Sequence, residues 1–464
     1  MTHAATPASG RIRARVARGA ARMTLAIALA IGPVSASFAQ KSKLPLVRDA
    51  EIEALLKDYT APIFKAAGLG SGAVDVYLLN NDKFNAFVTD RRMFIHTGAI
   101  KISESPNEII GVLAHETGHI TGGHQLRFRD RMNQANVLGA MAMILGAGAI
   151  ALGGEAGGHA GAAIAMGGQS AIMRDLLAYR RSEEAAADNA AITLLNATGQ
   201  SARGMLTTFD RFGRNLLFSG SRIDPYLQSH PMPRDRIELL EELARKSPYF
   251  DTRDPLQLQL RHDMARAKIV AYEGNGGDLA SMFRKDPRGP AARYGLAIAL
   301  FLRGSTADAL PMIDRLIDEQ PKNAYLHEMR GEMLLRSARA GEAAAEFRKA
   351  ISLDRHKSGL LRVSLGHALL ETRDPKLVGK AIAEIKAGLS RDPTSPHGYG
   401  LLARAYGAVG EPDLARAAAA QEAYFALRFK EAKQLAHYAQ PKLKRGTPEW
   451  LRMQDILDYK PDKK

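Results

Sequence analysis

The spacing of apolar and polar positions changes character several times along this chain. Between Val74 and His96 the apolar residues fall in short runs, Val74-Asp75-Val76-Tyr77-Leu78-Leu79, Ala86-Phe87-Val88 and Met93-Phe94-Ile95-His96. These runs are rich in β-branched and aromatic side chains, so the segment 44–105 predicts a first helix followed by a small sheet. From Asn107 the period lengthens. Ile109, Val112 and Leu113 recur at helical spacing behind Ser105-Pro106-Asn107, which supplies cap and first-turn chemistry. A buried, rigid helix is predicted through position 119.

Residues 135–173 follow no amphipathic period. Leu138-Gly139-Ala140-Met141-Ala142-Met143-Ile144-Leu145 and Gly161-Ala162-Ala163-Ile164-Ala165-Met166 are apolar, and Gly153-Gly154-Glu155-Ala156-Gly157-Gly158-His159 separates them. Each half is shorter than the usual bilayer span of about 20 residues. The segment reads as a mobile flap or helical hairpin over a cleft, with membrane contact and an inert buried hairpin as competing readings. Arg180 to Asp188 is alanine-rich and helical.

From about residue 255 helix pairs recur. Asp286-Pro287, Gln320-Pro321, Asp354-Arg355 and Asp392-Pro393 close successive units, the first three at steps of 34 residues and the last at a longer one. A helix–turn–helix unit of that length is the tetratricopeptide repeat, and such arrays bind protein segments. The resulting expectation is an α+β, mostly helical chain. A first domain with a small sheet spans 40–250, an all-α repeat solenoid spans 251–440, and 441–464 is a basic tail or cap that holds the single Trp450.

The chemistry is concentrated in His115-Glu116-Thr117-Gly118-His119. Histidines four apart share a helix face and converge on one metal, and the intervening Glu stands beside the water that the metal holds. A catalytic zinc needs a third protein ligand and an open position. A third His six residues after His119 would be one solution. Gly122 fits it, but position 125 is Gln125 and His124 falls one residue short. The other solution is acidic. Glu184 and Asp188 share a face, so Glu184 can bind zinc while Asp188 fixes a ligand imidazole. A solvated acidic face is the plainer reading of these two residues.

The amino terminus adds a compartment. Arg11, Arg13, Arg15, Arg18 and Arg22 precede the apolar run Met23–Ile31, and Ser37-Phe38-Ala39 offers small residues for cleavage after Ala39. Residues 1–39 are therefore predicted to be a secretory signal peptide and the mature chain to be periplasmic. The chain of 464 residues is 46% apolar, enough for two cores, and has no cysteine, which excludes disulfides and thiolate metal sites. Its formal charge of +15 includes +5 from the leader. The remaining excess suits anionic partners. A secreted protein meets little nucleic acid, so peripheral contact with anionic membrane lipid is the better expectation.

Taken together, His115-Glu116-x-x-His119 with His124, then Arg181-x-x-Glu184-x-x-Ala187-Asp188, resemble the gluzincin peptidases related to the CAAX-prenyl endopeptidases. Ser229-His230-Pro231-Met232-Pro233-Arg234-Asp235-Arg236 resembles that family's later His-Pro segment, although His230 alone reads as a turn residue before proline. The order of leader, peptidase and repeats matches periplasmic members. The resemblance implies a zincin-like domain with one Zn2+ on His115, His119 and Glu184, Glu116 as base and Asp188 behind the ligands. It implies that His230 and Arg236 act on the substrate oxyanion or that His230 is a removable fourth ligand. A strand with an open edge would lie beside the cleft. The implied activity is zinc endopeptidase cleavage of misfolded or stalled outer-membrane and envelope proteins, the repeats contacting the outer-membrane assembly machinery. A chaperone or binding module with a latent peptidase is the alternative.

Overall fold

The computed structural model describes residues 45–152, 154–218, 225–274 and 276–460. The leader proposed for 1–39 lies outside them.

Strand β1 (Leu46–Val47) leads into α1 (Ala50–Ala66), whose first turn is capped by the Asp49 carboxylate accepting from the Ile52 N–H at 2.9 Å. Strands β2 (Asp75–Leu79), β3 (Ala86–Thr89) and β4 (Arg92–His96) follow, close to the runs read from the sequence. The sheet order is β1-β2-β4-β3, with β2 and β4 parallel and the other pairs antiparallel. Strand β3 is therefore an edge.

After the short α2 (Thr97–Ile102), α3 (Pro106–Gly122) carries the histidine motif. Pro106 opens it, the Glu108 carboxylate accepts from the Ser105 N–H at 3.3 Å, and Gly123 closes it in the left-handed region at φ 65°. Every residue from Pro106 to His119 is buried, so this helix forms the centre of the domain. Ile109, Ile110, Val112 and Leu113 join α1, the sheet and later helices in one hydrophobic core.

Helices α4 (His124–Leu152) and α5 (Gly154–Ala197) form an antiparallel hairpin. The break falls in the glycine-rich stretch, as the sequence suggests. Helix α5 then runs unbroken for 44 residues, so the hairpin and the Glu184 segment are one helix. Gly118 makes this arrangement close. A Cβ there would lie 2.9 Å from the Ala187 carbonyl oxygen, so only glycine lets α3 and α5 approach so nearly. Helices α6 (Arg203–Phe218), α7 (Pro225–Ser229) and α8 (Arg234–Arg245) complete the cover.

Helix α9 (Leu256–Tyr272) joins two cores, because Ala265 and Ile269 belong to the first and Met264 and Ala271 to the next. After α10 (Gly276–Met282), paired helices begin: α11 (Pro290–Leu302) with α12 (Thr306–Glu319), α13 (Ala324–Arg336) with α14 (Ala340–Leu353), α15 (Gly359–Glu371) with α16 (Pro375–Leu389), and α17 (Pro396–Ala408) with α18 (Pro412–Phe425). The longest step is the last, between the starts of α15 and α17, where the sequence places its extra residues. Helix α19 (Phe429–Ala439) and α20 (Pro448–Asp458) follow, and Met453 and Ile456 of α20 are buried with Ala417, Ala420 and Ala436.

Helix α1 lies against this array. Ala50 and Ala54 pack with Ala324, Tyr325, Ala350 and Leu361. Lys268 reaches Asp49 at 2.6 Å and Glu51 at 3.3 Å, and the Tyr294 hydroxyl donates to Glu51 at 2.8 Å.

Candidate metal centre

Four buried side chains meet where α3, α5 and the segment after α7 converge. Donor atoms of His115, His119, Glu184 and His230 all lie within 4.8 Å of one another. His115 and His119 face each other because one helical turn separates them. Their Nε2 atoms are 3.0 Å apart. Glu184 closes the third side, at 3.3 Å from His115 Nε2 and 3.6 Å from His119 Nε2. His230 Nδ1 stands 3.3 Å from His115 Nε2 and 3.0 Å from a Glu184 oxygen.

The opposite ring nitrogens fix the proton positions. His115 Nδ1 donates to Asp188 Oδ1 at 2.9 Å, which leaves a lone pair on its Nε2. Glu183 lies 3.2 Å from His124 Nε2, and His124 Nδ1 is 2.8 Å from His119 Nδ1. With His124 donating to Glu183, His119 donates to His124 and also aims a lone pair inward. Two facing lone pairs repel unless a proton or a cation lies between them. A tetrahedral zinc with bonds of roughly 2.0–2.1 Å to nitrogen would hold its ligand nitrogens about 3.3 Å apart, close to the spacing observed here. The donor set therefore fits a divalent metal.

Electrostatics supports the same reading. Burial lowers the His119 imidazole to about 2, aided by the charge on His115. Burial also opposes charge on His115, but hydrogen bonds to Asp188 and Glu184 outweigh it and push that ring up to about 9. Burial works against the Glu184 carboxylate too, and its contacts with His115 and His230 more than offset this, holding it below the usual range. With no metal bound, His115 therefore carries a second proton at Nε2 at neutral pH, the proton between the two rings that a bound metal would displace.

Glu116 sits beside the cluster with both carboxylate oxygens buried and without a hydrogen-bond partner, Oε1 being 3.3 Å from His230 Nε2. Burial raises its pKa. Arg236 does not face the cleft. Its guanidinium donates to Asp188 at 2.6 and 2.9 Å and to the Pro231 carbonyl at 2.9 Å, and it pairs with Glu184 at 2.9 Å. Asp188 is buried against its own charge, yet Arg236 and His115 hold it ionised below the usual range.

A cleft of about 340 Å³ opens in front of Glu116, His119 and His230, bordered by Phe87 and Val88 of β3 and by Phe128. All seven residues singled out in the sequence as site candidates are thus brought together. Sequence reasoning did not assign the Glu183–His124 relay behind His119. It also missed the role of Gln125, whose amide donates to the Val88 carbonyl and accepts from the Asp90 N–H at 2.9 Å. The adjacency of His124 to the motif was a usable signal, whereas the strand contact of Gln125 left none.

This fold and site define a metallopeptidase domain followed by an array of paired-helix repeats. Residues 47–244 match Peptidase family M48, whose members are metal-dependent hydrolases of peptide bonds, and 278–324 and 303–358 match the tetratricopeptide repeat. Over 431 residues the chain is 23% identical to the Beta-barrel assembly-enhancing protease of Escherichia coli (strain K12), covering 90% of this chain and 85% of that one. It is 23% identical to the protein of that name from Yersinia pestis over 399 residues, covering 82% and 78%. A putative beta-barrel assembly-enhancing protease of Vibrio cholerae is 28% identical over 260 residues, covering 54% and 51%. The crystal structure of MamA aligns with 35% of this chain and 90% of its own at 17% identity and a TM-score of 0.28.

Proposed function

We propose that the protein is a zinc endopeptidase of the periplasm, exported by its residues 1–39, that removes misfolded or stalled outer-membrane and envelope proteins. The observation that carries this reading is the pair of inward ring nitrogens on His115 and His119, 3.0 Å apart and closed by Glu184, with the Glu116 carboxylate alongside, making no hydrogen bond and 3.3 Å from His230 Nε2. His115, His119 and Glu184 hold the zinc. Bound zinc supplies Lewis-acid polarisation of the scissile carbonyl and acidifies water at neutral pH. Glu116 takes the proton of the attacking water on its carboxylate and returns it to the leaving amine nitrogen as the C–N bond breaks.

Asp188 and Arg236 act from behind, holding His115 and Glu184 in place. His230 fills a fourth donor position, so the peptidase is latent until this ring swings away and opens a place for water. That position also favours a second reading, a chaperone or binding module whose peptidase is mostly silent. An extended substrate adds to the edge strand β3, which borders the cleft, and displaces Gln125 from the backbone of Val88 and Asp90. The repeats grip protein partners, among them the outer-membrane assembly machinery. The names of the relatives, which join a protease to barrel assembly, support this choice of substrates.

Purified protein incubated with an unfolded casein-like substrate tests the reading. Cleavage is expected to stop with a chelator and return with zinc. Glu116→Gln is expected to keep stoichiometric metal and to lose at least about 10²-fold in rate. A Glu116→Gln variant that cleaves normally removes the base assignment, and a folded protein that binds no metal removes the enzyme. Suppression of aggregation that persists in Glu116→Gln would establish the chaperone role separately.

A further inference from the structure

The α4–α5 hairpin is built the wrong way round for water. Ten of the twenty-one exposed large hydrophobic residues described lie on these two helices. Val137, Leu138, Met141, Ile144 and Leu145 recur at i, i+1, i+4, i+7 and i+8, which makes one continuous apolar stripe. Ile144 is 71% exposed and Leu145 65%. Met166, Met173 and Leu177 form a second exposed stripe on α5. Glycines mark where the two helices come closest. Gly146 and Gly161 are buried, and a Cβ on Gly168 would come within 2.9 Å of the Ala142 methyl. No described residue from Gln125 to Asp175 belongs to any of the buried hydrophobic clusters. Glycine at the helix contact with large apolar side chains turned outward is found in helices whose solvent is lipid.

Charge is segregated along the same arm. Between Arg131 and Arg174 the sequence has a single formally charged residue, Glu155. The root carries Arg127, Arg129, Arg131, Arg174, Arg180 and Arg181 against Asp130, Asp175 and Glu183. Arg174 and Arg181 are exposed and make no ion pair among the described residues. Arg129 and Arg131 have only loose surface contacts, at 3.8 Å to Asp90 and 3.7 Å to Asp175. Tyr179 and Phe128 lie in this band under Arg131 and Arg180. An apolar end followed by a band where aromatics and arginines intermix matches a bilayer's acyl region followed by its interface and phosphates.

We propose that this arm is a membrane-surface anchor. Its apolar stripes enter the acyl boundary of an anionic phospholipid leaflet, and its arginine root sits among the phosphates. The arm lies in the surface rather than through it, since no helix among the described residues is long and apolar enough to cross a membrane. The inference is independent of the metal site. Because α5 also carries Glu184, the anchor would hold the cleft close to the membrane.

Sedimentation of purified protein with vesicles tests it. Binding is expected with phosphatidylglycerol vesicles, weaker binding with phosphatidylcholine alone, and loss of the difference in high salt. The double variant Ile144→Glu, Leu145→Glu is expected to bind at least about tenfold more weakly. Arg129→Gln, Arg131→Gln and Arg174→Gln should each cost up to about fivefold. These positions are exposed, and unchanged helix content and metal stoichiometry in the variants confirm folding. Failure of the native protein to bind either vesicle overturns the proposal, as does equal binding by the double variant. A dimer that the double variant dissociates, without vesicle binding, would instead assign the stripes to a second copy of the chain.

Discussion

Asp188 answers to two partners, the His115 ring and the Arg236 guanidinium, and all three are buried. Asp188→Asn keeps the shape and removes the charge, so the ring faces at best a neutral carbonyl, one Arg236 N–H faces an amide N–H, and Glu184 is the one carboxylate left to Arg236. Metal affinity is expected to fall about 10- to 100-fold in competition with a chelator. Stability is expected to fall by about 3–5 kcal/mol in a denaturant titration, because the buried Arg236 cation loses one of its two carboxylate partners. His230→Ala separates the two readings of that residue. A fourth ligand that holds the enzyme off predicts faster casein cleavage in the variant, and an oxyanion partner predicts slower cleavage at unchanged metal content. Arg236 is expected to affect the rate only through Glu184 and Asp188, since its donors already point at carboxylates and at Pro231.

At the scale of elements, the crossing of α3 and α5 sets the site. Gly118→Ala would drive a methyl against the Ala187 backbone, three residues after Glu184. A loss of about 1–3 kcal/mol is expected in thermal or urea unfolding, with weaker metal binding because Glu184 moves with α5. The edge strand is the other lever. Gln125 holds the Val88 carbonyl and the Asp90 N–H that an extended substrate would use. Gln125→Ala is expected to lower KM for an extended peptide several-fold at unchanged kcat. A raised KM would mean that this side chain helps to hold the substrate. Strand β3 beside the cleft, the helix of the motif and the glycine break in the hairpin were all legible from spacing. The unbroken run of α5 was not, because glycine-rich helix and loop look alike in sequence until a partner helix packs against them.

The whole molecule is tied together through α1. Asp58 accepts from Arg261 and Arg355 at 2.5 Å and lies 3.0 Å from His356, which links the peptidase domain to the array. Burial opposes its charge, and these partners outweigh burial, so its pKa is lowered. A depressed carboxylate stabilises the fold above its ordinary value near 3.9, and that contribution is lost as pH falls through the lower folded value. Asp58→Asn is therefore expected to lower stability by about 2–3 kcal/mol at neutral pH. The gap in melting temperature between variant and parent should begin to narrow below about pH 4 and close only below the depressed folded value, where protonation does to the parent what the amide does to the variant. A gap independent of pH would show that the pairs contribute nothing through charge.

The sequence by itself determined what is local or periodic: the histidine pair one turn apart, the small strands, the 34-residue helix pairs and the Glu184–Asp188 face. These follow from backbone geometry, which repeats every few residues and needs no distant partner. Only the tertiary structure decided which carboxylates meet the rings. It also decided that His124 relays Glu183 to His119, that Arg236 turns towards Asp188 rather than the cleft, and that α1 docks on the repeats. Those contacts join residues far apart in the chain, and their existence depends on how close two helices can come, a distance set here by a single missing methyl at Gly118.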